Sequence, residues 1–67
     1  MAKNELREFI KGVLRDKAVQ KIQLRPIGNN TLVNLSNGKP CSDFYLYVGI
    51  PFEEVVFIVE SIRKEFS

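Results

Sequence analysis

The chain has 67 residues, with 10 Lys plus Arg, 8 Asp plus Glu, no His, no Trp and one Cys, for a formal charge of +2. A length below about 70 to 80 residues leaves room for one modest core, hence a single domain spanning 1–67, and 45% hydrophobic with 27% charged residues is an ordinary globular composition. Without His the chain lacks the commonest general base, the commonest metal ligand and every Ser-His or Cys-His nucleophile pair, and a lone Cys41 makes neither an internal disulfide nor a thiolate zinc cage.

From Asn4 to about Lys17, Leu6, Phe9, Ile10, Val13 and Leu14 follow the i, i+3, i+4, i+7, i+8 spacing of an amphipathic helix. Asn4 is the expected N-cap, with Glu5 and Glu8 near the positive end of the helix dipole. Gly12 weakens the helix interior by about 1 kcal/mol relative to Ala, and the expectation is that another backbone approaches there.

After Val19 the period changes to two. Ile22 and Leu24 share a face with Val33 and Leu35 if the turn between them is Gly28-Asn29 or Asn29-Asn30. Asn37-Gly38 is a favoured pair for a two-residue hairpin, and that turn sets Val33 opposite Ser42 and Thr31 opposite Phe44. Phe44, Leu46 and Val48 then join the same core face. A second helix is expected from Pro51 at its first position, with Glu53 and Glu54 in the first turn and Arg63 and Lys64 in the last. Phe52, Val55, Val56, Val59, Ile62 and Phe66 form its apolar stripe, with Ile58 at the core edge. The order α-β-β-β-α predicts a two-layer α+β fold, a three-stranded antiparallel meander covered on one face by both helices.

This order, and the chain length, resemble the double-stranded RNA-binding domain. That family carries a Gly-Pro-x-His-type loop between its first two strands and a Lys-rich start on its last helix. Here those positions hold Gly28-Asn29-Asn30 and Phe52-Glu53-Glu54, and the two acids repel phosphate. Several small phage-encoded inhibitors of bacterial defence systems look similar in element order as well, with no shared motif.

Three surfaces are candidates for function. Lys3, Arg7, Lys11 and Arg15 are each four residues apart, advancing about 40° per step, and form a stripe on the first helix. With Lys21 they are candidate contacts for phosphates or an acidic surface; the plainer reading is a solvated helix flank. The uncovered sheet face carries Lys21, Gln23, Arg25, Ile27, Leu32, Asn34, Asp43, Tyr45 and Tyr47. Tyr with Arg and amides suits a protein interface or a platform for bases, and otherwise simply stabilises a wet sheet. Phe57 lies about 140° from Phe52 on the helical wheel, among polar residues, and is expected to be exposed.

Catalysis is not expected. Glu53 and Glu54 are adjacent and read as dipole partners, Asp43 beside Cys41 and Ser42 has no base to activate a nucleophile, and Cys41 reads as a semi-buried strand residue. No cofactor and no metal are expected. Residues 1–25 carry a balance of +4 and residues 26–67 a balance of −2. No apolar run approaches the roughly 20 residues of a membrane span, and no secretory signal is visible, so a cytoplasmic location is expected. The expected function is a non-enzymatic interaction module, an inhibitor or adaptor of phage or mobile-element type. It binds a protein partner through Arg25, Leu32, Asn34, Tyr45, Tyr47 and Phe57 and forms a homodimer. The alternative is a nucleic-acid or nucleotide binder using the basic stripe and the Tyr/Arg face.

Overall fold

A computed structural model of the chain describes residues 2–16, 19–39 and 43–66. The elements are α1 (Lys3–Arg15), β1 (Lys21–Ile27), β2 (Asn30–Ser36), β3 (Phe44–Val48) and α2 (Phe52–Phe66). The strands form one antiparallel sheet in the order β1-β2-β3. Both helices pack on one face of it, and the other face is open.

The core follows from the two periodicities. Leu6 and Ile10 of α1 meet Val55, Ile58, Val59 and Ile62 of α2 over Val33, Leu35 and Val48 of the sheet, with Ile50 closing the end. Each such side chain contributes about 1.5 to 3 kcal/mol when fully buried. Residues 31, 33 and 35 of β2 are buried and alternate with half-buried neighbours, as a central strand covered on one side requires. Among the helix–sheet contacts, α2 lies over β1 and β2, while α1 packs beside α2. Phe9 of α1 reaches Phe44 at the start of β3, with ring centroids 6.5 Å apart.

The first hairpin has the expected two-residue turn. Ile27 pairs with Asn30, and Gly28 takes φ +59°, a left-handed conformation that side chains disfavour. The second connection differs from expectation. Thr31 pairs with Val48, Val33 with Leu46 and Leu35 with Phe44, a register shifted by four residues from that of an Asn37-Gly38 hairpin. Strand β2 ends at Ser36 and β3 begins at Phe44, so no two-residue turn joins them. The reason is what each register would bury. A two-residue turn would carry Pro40, which has no N–H, into the ladder opposite Leu35 and would leave Leu46 and Val48 beyond the covered part of β2. The observed register matches the apolar run Phe44–Val48 to the most buried stretch of β2. Asn37 and Gly38 make a local turn, in which the Gly38 N–H donates to Ser36 Oγ (3.2 Å) and the Lys39 N–H to Asn37 Oδ1 (3.0 Å). A shift of four is even, so the predicted faces survive the change.

Several local expectations are corrected. Helix α1 begins one residue before Asn4: Ala2 occupies the cap position and donates its N–H to Glu5 Oε1 at 3.1 Å, so the acid three residues on replaces the missing cap side chain. Pro51 precedes α2, its carbonyl accepting from the amides of Glu54 and Val55 at 3.1 Å each. A Cβ on Gly12 would meet nothing within 4 Å, so no backbone approaches there. Phe66 is exposed and Phe44, although on the core-facing parity, is 53% exposed, because each lies at the end of its element where the opposite layer stops.

Candidate interaction face

The open face is a grid set by the two registers. Across the sheet, Arg25, Leu32 and Tyr47 form one row and Gln23, Asn34 and Tyr45 the next. Ile27 with Asn30 and Lys21 with Ser36 extend it at either end. Tyr45 and Tyr47 are 58% and 57% exposed, Ile27 is exposed and Leu32 half-buried. The sequence-derived residues Arg25, Leu32, Asn34, Tyr45 and Tyr47 are therefore brought together on one surface. Asp43 lies just before β3, outside the paired strands.

Two features of this face were not read from the sequence. Asn30 Nδ2 donates to the Tyr47 hydroxyl at 2.6 Å, tying the phenol of β3 to the start of β2. In sequence Asn30 stands among turn residues, but its parity with Leu32 and Asn34 places it on the open face. Asn34 Oδ1, in the middle of the central strand, is covered and meets no donor among the described residues. A polar group in that state is costly, and natural proteins retain few of them.

The basic stripe is placed quite differently from the open face. It runs along the seam between the helices, where Lys3 pairs with Glu54, and Arg7 and Lys11 both approach Glu65, at 3.7 and 3.8 Å. The pairs follow the same order along both helices. Glu54, read as a dipole partner from its position in the first turn, is also the counter-charge of Lys3. Lys21 is on the sheet, on the other layer, so the structure does not gather it with the stripe.

Phe57 is 72% exposed on the outer surface of α2, away from the sheet. It borders two shallow hollows, one with Lys3, Arg7, Glu53 and Glu54, the other with Glu60, Ser61, Arg63 and Lys64. It belongs to a different surface from the tyrosines. Cys41 and Ser42 lie outside the described residues. Among the described residues, no three metal-ligating side chains gather, and no helix is long and apolar enough to cross a membrane.

Among the described residues the geometry thus offers an aromatic and amide-rich sheet face, a basic stripe partly paired with α2, and the exposed Phe57 beside that stripe. No family model matches the chain, nor does any curated protein or solved structure.

Proposed function

We propose that the protein is a non-enzymatic interaction module of the cytoplasm, an inhibitor or adaptor that docks a protein partner on its open sheet face. The observation that carries this reading is the pair of rows Arg25, Leu32, Tyr47 and Gln23, Asn34, Tyr45, which puts two well-exposed tyrosines beside an Arg and an aliphatic side chain. Tyr and Arg are the favoured anchors of protein interfaces, since each offers a large contact area with a polar tip. The covered Asn34 acceptor adds a group that a donor from a partner can satisfy. Ile27 and Leu32 favour a protein over nucleic acid, because a phosphate-binding face has little use for aliphatic side chains. The pairing of Lys3, Arg7 and Lys11 with Glu54 and Glu65 points the same way, as two carboxylates offset about half the charge of the stripe on which phosphate binding would depend.

The test compares the wild type with Tyr45→Ala/Tyr47→Ala and with Phe57→Ala. The expected result is a stoichiometric complex with one defined protein, formed by the wild type and by Phe57→Ala and lost in the double variant, whose circular dichroism stays native. Amide exchange should slow in β1, β2 and β3 of the complex. Retained binding in the double variant, or binding only to RNA or DNA with a steep salt dependence, overturns the reading.

A further inference from the structure

We infer that β3 is a self-pairing edge, and that two copies of the chain join antiparallel through it into one continuous six-stranded sheet. The two outer strands of the sheet are unlike. Strand β1 carries Lys21, Arg25 and Pro26, and α2 lies over it; charged side chains and proline are the devices that keep an edge from pairing. Strand β3 has none of them. Its sequence Phe44-Tyr45-Leu46-Tyr47-Val48 holds no charge and no proline, and both of its tyrosines and Phe44 are more than half exposed.

The strand is also complementary to itself. Antiparallel pairing about a twofold axis at Leu46 sets Tyr45 opposite Tyr47 of the second copy, twice, on the open face. It sets Phe44 opposite Val48, twice, on the helix side. A charge at position 46 would meet its own copy at the axis, and a lone charge at position 45 or 47 would face an aromatic ring without a counter-charge; a strand free of charge avoids both. The strand interior meets that condition, and the exposed part of Phe44 gains a cover that its own helices do not give.

The occupant is a second copy because the strand matches itself: the register that pairs Tyr45 with Tyr47 brings four exposed tyrosines together at the centre of one doubled open face. The use of that doubled face for docking rests on the proposed function, whereas the edge and register arguments do not.

The register makes the proposal testable without knowing any partner. In Tyr45→Lys/Tyr47→Glu each Lys faces a Glu across the twofold; in Tyr45→Lys/Tyr47→Lys like charges face each other. Both variants remove both aromatic rings. By light scattering with native circular dichroism as the fold check, the wild type should have twice the chain mass. The Lys/Lys variant should be monomeric, with dimer affinity reduced at least about tenfold. The Lys/Glu variant should be dimeric at low salt and dissociate at about 1 M salt, where screening is nearly complete. In wild-type protein mixed from labelled and unlabelled copies, isotope-filtered NMR should give contacts between Tyr45 of one copy and Tyr47 of the other. A monomeric wild type, equal behaviour of the two double variants, or absence of the intermolecular contacts overturns the proposal. If partner capture fails while the Lys/Glu dimer forms, the docking reading falls and the edge pairing stands.

Discussion

The Thr31 hydroxyl donates a hydrogen bond to the Ile50 carbonyl at 2.9 Å, both residues being buried. It ties the central strand to the segment that enters α2. Replacing Thr31 by Val keeps the shape and the strand preference but leaves that carbonyl unpaired, so urea unfolding should show a loss of about 1 to 3 kcal/mol. Thr31→Ser keeps the hydroxyl and should cost less than Thr31→Val. The reverse order would show that the methyl group, and not the bond, matters here.

The same substitution should have opposite signs at two glycines. Gly12 is helical with open space where a Cβ would lie, so Gly12→Ala should stabilise by about 0.5 to 1 kcal/mol, raising the melting temperature by a few degrees. Gly28 sits at φ +59° in the two-residue turn, so Gly28→Ala should cost about 1 to 2 kcal/mol. Thermal melts of the two single variants are sufficient to check both.

Neutralising Glu54 and Glu65 together takes the formal charge from +2 to +4 and leaves Lys3, Arg7 and Lys11 without these counter-charges. These pairs are partly open to solvent, with Arg7 and Lys11 half-buried and their distances to Glu65 long, so Glu54→Gln/Glu65→Gln should destabilise by no more than about 1 kcal/mol per pair at low salt. The difference from wild type should shrink in about 1 M salt. The same variant should bind duplex RNA at low salt more strongly than the wild type does, which a fluorescence titration can measure.

Asn34 is the polar residue whose removal should help the fold. Its Oδ1 is covered and unmatched in a central strand, where Asn is a poor fit, so Asn34→Val should raise stability by about 1 kcal/mol in chemical denaturation. If the open face docks a partner, that gain should come with weaker partner binding. A loss of stability would mean that the carboxamide is satisfied in solution.

Periodicity was enough to read the layers. Ile22 and Leu24, Val33 and Leu35, and Leu46 and Val48 fall on the core face because strand parity is a local property, and the α1 and α2 stripes follow from helical spacing in the same way. What the sequence left unread is long-range. Asn37-Gly38 has the chemistry of a tight hairpin, yet the ladder is set by which residues of β3 can lie against Val33 and Leu35, a competition the turn does not decide. The Lys3 to Arg15 spacing shows a stripe but not what faces it; Glu54 and Glu65 are about fifty residues away in the chain. The tyrosine rows were legible as a face, because a four-residue slip preserves parity, while the Tyr47 partner Asn30 and the unmatched Asn34 depend on the register itself.

The inequality of the two sheet edges also bears on how far the chain can assemble. A strand ladder propagates into a fibre only when each molecule offers a receptive edge on both sides. With Pro26, Lys21 and Arg25 closing the β1 side, any pairing at β3 uses up the single receptive edge of each molecule and closes at two. An aromatic, uncharged strand that would be an aggregation hazard in a symmetric sheet is thereby confined to a finite object, and the chain keeps a sticky strand without the route to filaments.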